Sequence, residues 1–158
     1  MSIDSRELRN AFGRFATGVC VITANPDDTP AFGMTVNSFS ALSLEPPLLL
    51  WSLQNDSDCF EAFERAEGFT VNILGREQED FSNACAKKGN HDLAEGDFTL
   101  GESGLPVLNE ALASFECKTW ARYPGGDHVI LVGQVENMTN DNDAEPLLFY
   151  SGQYRGIG

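Results

Sequence analysis

Basic residues are scarce in this chain: 10 Lys and Arg stand against 24 Asp and Glu among 158 residues, a net charge of −14. Nucleic acid demands clustered Lys and Arg to neutralise its phosphates, and an anionic membrane surface demands the same, so neither is an expected partner. A phosphorylated small ligand is not excluded, because salt screens exposed charges beyond about 8 Å and the local site decides. Long apolar runs are missing too. None exceeds four residues, as at 48–51, against the roughly 20 residues of a membrane-spanning helix. The opening, MSIDSRELRN, carries charges where a secretory leader needs an apolar stretch, so the cytoplasm is the expected location.

Metal and nucleophile signatures are equally thin. Cys20, Cys59, Cys85 and Cys117 lie far apart without a C-x-x-C pair, and only His91 and His128 are available to join them. That fits no zinc spacing and predicts small buried thiols in a reducing compartment. There is no G-x-G-x-x-G after a strand, no Walker sequence, no G-x-S-x-G and no H-E-x-x-H. Nothing pairs either histidine with a nucleophile. Chemistry, if present, is borrowed from a cofactor.

What is present is enough chain for one domain, residues 1–158. Asp4-x-x-Glu7 resembles a capping box; Leu8, Ala11, Phe12 and Phe15 share a helical face, and Gly18 is placed to stop that helix. Strands are expected over residues 19–24, 31–40 and 48–54, with a turn at 25–30 and an extended entry fixed by Pro46 and Pro47. A short helix near Ser57 or Asp58, capped through Asp58-x-x-Glu61, precedes a strand over 69–74. A helix over 77–88 turns Phe81, Ala84 and Cys85 inward, and 90–104 reads as a long polar loop. Strands over 113–123, 128–138 and 146–150 complete the chain. About seven strands without β-α-β alternation exclude a doubly wound parallel sheet and fit a mainly antiparallel β-barrel with about three peripheral short helices.

The segment GMTVNSFSALSLEPPLLLWSL, residues 33–53, is chemically distinctive. Thr35, Asn37 and Ser38 place short hydrogen-bonding side chains amid apolar ones, a lining suited to a flat ligand with polar edges. The same residues also suit a polar strand end before a loop. Together with FGRFATGVCVITA (12–24), FTVNIL (69–74), LASFECK (112–118), GDHVILVGQV (126–135) and PLLFYSGQY (146–154), this segment resembles the flavin reductase family. These are small NAD(P)H:flavin oxidoreductases that often serve two-component monooxygenases.

The resemblance implies an FMN-binding split β-barrel, a homodimer with flavin near the subunit interface, FMN or FAD as flavin, and NADH or NADPH as hydride donor. Gly33, Thr35, Val36, Asn37 and Ser38 would approach the isoalloxazine and ribityl chain. Ser52, Leu53, Gln54 and Asn55 would continue the wall, Ser57 would meet the phosphate at a helix start, and Ala86 and Lys87 would close the pocket. His128, in the Gly-Asp-His of the resemblance, and Tyr154 in the tail would stand on the nicotinamide side. Trp51, Trp120 and the phenylalanines would fill core or dimer interface. The sequence departs from the family in two ways: Cys85 stands where Phe is usual before Ala86, and Asp56 and Asp58 flank Ser57. Carboxylates there repel a phosphate unless they point away or Lys87 or Lys88 compensates. The implied activity is reduction of FMN or FAD by NAD(P)H for a separate oxygenase component. A non-catalytic or electron-transfer FMN-binding protein and a cofactor-free interaction protein on the same barrel are the alternatives.

Overall fold

The computed structural model describes residues 2–27 and 29–158, so Asp28 in the expected turn lies outside the described residues. Helix α1 (Ser5–Phe12) starts at Asp4, whose carboxylate accepts the N–H groups of Arg6 at 2.8 Å and Glu7 at 3.4 Å. It ends at Gly13, well before Gly18. Among the described residues its apolar face is left largely open: Phe12 is 70% exposed and Phe15, just beyond the helix, 79%.

Strands β1 (Thr17–Gly18), β2 (Cys20–Ala24), β3 (Phe32–Val36), β4 (Ser40–Leu44) and β5 (Pro47–Gln54) follow. Helix α2 (Phe60–Arg65), strand β6 (Gly68–Ile73) and helix α3 (Glu79–Ala86) come next. A hairpin of β7 (Phe98–Leu100) and β8 (Pro106–Leu108) leads to the long strands β9 (Ala113–Gly125) and β10 (His128–Thr139), and β11 (Leu148–Tyr150) and β12 (Gln153–Arg155) end the chain. Seven strands form one antiparallel sheet in the order β3-β2-β6-β9-β10-β5-β4.

The sheet wraps around its own side chains. Ile22, Trp51, Leu53, Phe69, Val71 and Leu131, from four different strands, meet with almost no exposure. Phe63 of α2 closes one end, its ring edge-on to Trp51 at 5.0 Å. Burying such side chains contributes roughly 1.5–3 kcal/mol each. Gly133 is required where β10 crosses this filling: a Cβ there would come within 2.8 Å of Cys117 Cβ. Outside the sheet a second core gathers Val19, Val21, Leu74, Cys85, Leu108 and Leu147 beneath α3 and β8. β2 is therefore buried on both faces, which is why its sequence runs apolar without alternation. Asn72 ties the layers together. Its amide donates to Val21 O at 2.9 Å and Thr23 Oγ1 at 3.1 Å, and its oxygen accepts from Leu108 N at 3.1 Å and Ser114 Oγ at 2.8 Å.

Several sequence expectations need correcting. The strand expected over 31–40 is two strands, because at 37–39 the Ser38 hydroxyl takes over a backbone N–H of β5 and the ladder breaks. The polar loop over 90–104 holds β7, whose partner β8 lies just beyond it. The tail folds back as β12 against β11. Asp58 caps nothing: α2 begins at Phe60 behind Cys59, which makes no side-chain cap bond. No helix among the described residues is long and apolar enough to cross a membrane.

Candidate functional site

β3 reaches its polar end because Gly33 lets it lie close on β2, where a Cβ would meet Val21 Cγ1 at 2.8 Å. Thr35 then donates its hydroxyl to the carbonyl of Ser82 at 2.7 Å, anchoring the strand to α3. Val36 packs its side chain toward the barrel core. Past it the backbone leaves the sheet, Asn37 becomes exposed, and its side chain makes no hydrogen bond among the described residues. Ser38 turns back onto β5: its Oγ accepts the N–H of Ser52 at 2.9 Å. Two segments that sequence could only set side by side are therefore bonded into one wall.

β5 and β10 extend that wall. Ser52 pairs with Ile130 and Gln54 with His128, and directly opposed residues share a face. These four lie on the outer side of the barrel. Leu53, on the opposite face, is wholly buried beside Trp51, so of the residues expected to line the ligand Leu53 offers only backbone. Asn55 fastens the end of β5 to the β9–β10 turn: its N–H donates to Asp127 O at 2.9 Å and its amide to Gly126 O at 3.3 Å. His128 sits in this turn with Nδ1 2.7 Å from Asp127 Oδ1. The hydrogen bond and charge of His128 hold the Asp127 carboxyl below its ordinary range. With Nδ1 engaged, Nε2 has no partner among the described residues and is free to meet a ligand.

Tyr154 was expected beside the nicotinamide. Its ring packs edge-on to Phe149 at 5.4 Å, and its OH lies 2.6 Å from Ser82 Oγ, the residue whose carbonyl holds Thr35. Ser82, unremarkable in sequence, thus links both predicted positions. Ser57 stands ahead of α2 in a turn, its Oγ accepting the N–H of Cys59 at 3.1 Å and lying 3.5 Å from Met34 Sδ. A six-residue helix beginning three positions later gives Ser57 little of the expected helix dipole. Ala86 and Lys87 are exposed at the end of α3.

A cleft of 710 Å³ borders Asn37, lined also by Arg9, Arg14, Phe15, Thr17 and Phe149. Thr17 Oγ1 is buried there without a hydrogen-bond partner, and Arg14 stacks over Tyr150 at 5.7 Å. Free polar atoms, aromatic walls and two cations in an acidic chain fit an anionic, flat ligand. No sequence pattern singled out Arg9, because its place beside Asn37 depends on how α1 returns to the barrel.

The flavin reductase like domain matches residues 12–158, nearly the whole described chain. This chain belongs to that family. The flavin-dependent monooxygenase reductase subunit HsaB of Rhodococcus jostii (strain RHA1) is 40% identical over 159 residues, covering 99% of this chain and 80% of that protein. The FMN reductase (NADH) SmoA of Agrobacterium fabrum (strain C58 / ATCC 33970) is 40% identical over 153 residues, covering 96% of this chain and 85% of its own length. Among solved structures, the NADH:FAD oxidoreductase SgcE6 of Streptomyces globisporus C-1027, in complex with NAD and FAD fragments, superposes with a TM-score of 0.91. It shares 35% identity over 98% of this chain and 93% of that one. The fold is accordingly the split barrel of flavin reductases, mainly antiparallel with peripheral helices.

Proposed function

We propose that this flavin reductase-family chain transfers hydride from NAD(P)H to FMN or FAD and supplies the reduced flavin to a separate monooxygenase. The observation that carries it is the single outer wall of Ser38, Ser52, Gln54 and His128. It places polar rim residues and a histidine with a free nitrogen on one surface, in a chain matched to the family across residues 12–158. When bound, flavin supplies the hydride-accepting ring. The protein's work is then positional. Asn37 and the backbone of residues 35–38 offer donors and acceptors to the ring edge, and the Ser38–Ser52 bond fixes their spacing. His128, oriented by Asp127, presents Nε2 to the nicotinamide side, where holding two rings in contact lowers the barrel's catalytic task to orientation. Arg9 and Arg14 give two anionic nucleotides a locally cationic approach.

Exposed apolar side chains support a homodimer. Leu44 is 94% exposed on edge strand β4, and Phe12, Phe15, Trp120 and Tyr123 are all more than half exposed. Trp51, by contrast, is core. A steady-state assay crossing NADH and NADPH with riboflavin, FMN and FAD tests the reading. Rapid turnover with at least one pair is expected; a yellow protein that consumes neither nicotinamide nucleotide would make it a flavin-binding protein without reductase activity.

A further inference from the structure

Asp58 and His91 meet beside Ser57, the position offered above for the flavin phosphate. An uncompensated carboxylate there repels a phosphate. Instead of capping α2, the Asp58 carboxylate accepts the N–H of Gly89 and lies 2.9 Å from His91 Nε2. The same ring turns Nδ1 to the carbonyl oxygen of Gly33 at 3.2 Å, while the Gly33 N–H donates to the carbonyl of His91 at 2.8 Å. Both ring nitrogens therefore face acceptors. A neutral imidazole has one N–H and serves one of them; the imidazolium serves both.

The groups facing this ring are Asp58 and Cys59 from the segment entering α2 and Gly33 from β3, with Asp92 next in its own segment. Cys85 of α3 lies behind Cys59. Lys87 and Lys88, the expected compensators, form no ion pair among the described residues. Asp58, Cys59 and His91 bring three ligand-type atoms within 4.8 Å of one another. Burial, together with the charge and hydrogen bond of Asp58, pushes the Cys59 thiol up to about 12, so it keeps its proton. Burial pushes the Asp58 carboxyl up, but the Gly89 N–H and the His91 charge outweigh it and leave the group below its ordinary range.

We propose that His91 is a phosphate-positioning residue: its imidazolium clamps Asp58 against residues 89–91 and cancels its charge beside Ser57, so binding of a phosphorylated flavin depends on the proton at His91. This rests on the flavin reading of the site. Riboflavin, which has no phosphate, is indifferent to that proton.

The test measures FMN and riboflavin dissociation constants on the whole chain from about pH 6 to about pH 8.5, for wild type, His91→Gln and His91→Lys. Relative to His91→Gln, the wild-type preference for FMN over riboflavin falls about fivefold as pH rises, the size expected for one partly screened charge. The His91→Lys preference exceeds that of His91→Gln by a ratio that stays constant across the range, so the wild type alone moves from the Lys profile toward the Gln profile as pH rises. FMN's own phosphate titrates alike in all three, so differences between profiles belong to residue 91. A preference for FMN that follows the wild-type pH profile in His91→Gln overturns the proposal and leaves the flavin reading standing. Binding of neither flavin by wild type overturns both.

Discussion

The Ser38 hydroxyl accepts the backbone N–H of Ser52 at 2.9 Å and so joins the break between β3 and β4 to the middle of β5. This bond sets the spacing of the proposed flavin rim. Ser38→Ala leaves a half-buried donor unpaired, which costs about 1–2 kcal/mol of stability. It also loosens the Asn37 backbone, and flavin affinity is expected to fall about fivefold in fluorescence titration. An unchanged dissociation constant would separate this bond from the ligand.

Asn37 is exposed and its side chain has no hydrogen-bond partner among the described residues. Asn37→Ala should leave thermal unfolding within about 0.5 kcal/mol of wild type and weaken flavin binding by about tenfold. A shifted unfolding transition with intact affinity would make Asn37 structural.

His128 is held by Asp127 through Nδ1 and offers Nε2 outward. His128→Ala is expected to lower NADH-dependent turnover by about tenfold or more while flavin affinity changes less than about threefold. The opposite ordering of the two effects would move His128 to the flavin side. Asp127→Asn should reproduce part of the turnover loss, because the ring keeps its place but loses the carboxylate that orients it.

These positions also mark how far sequence alone could go. Alternating apolar residues predicted β9 and β10 almost to the residue, because one face of each strand must be buried. Asn37, Ser38 and His128 were proposed from motifs whose spacing is local. The Ser82 link between Thr35 and Tyr154, and the meeting of Asp58 with His91, join residues distant in the chain, and no local pattern encodes such pairs. Asp58 was misread for the same reason: Asp58-x-x-Glu61 is a good local capping signal, and a tertiary partner outcompeted it. α1 was read correctly as amphipathic, yet its apolar face stays largely exposed among the described residues.

Asn72 is fully buried and makes hydrogen bonds to β2, β8 and β9. Asn72→Ala strands several of these partners in the core and should destabilise the protein by about 3 kcal/mol in urea unfolding. Asn72→Asp supplies the acceptor but no donor and adds a buried charge, so it should cost at least as much. A loss below about 1 kcal/mol for either variant would contradict the network.

The net charge of −14 repels NADH and FMN, both anions, at long range. Apparent Michaelis constants for both should rise as salt is lowered from about 0.15 M toward about 0.01 M, where the screening length grows from about 8 to about 30 Å. Constants that fall over that range would mean the Arg9 and Arg14 cleft dominates the approach.

Hydride transfer at the Ser38–Ser52 wall is tested most directly by anaerobic mixing of the protein and FMN with NADH and with NADH deuterated at the transferred position. The expected result is loss of the oxidised flavin absorbance far faster than without protein, slowed about twofold or more by deuterium where the transfer step limits the rate. Absorbance that decays no faster with protein than without it would contradict the account.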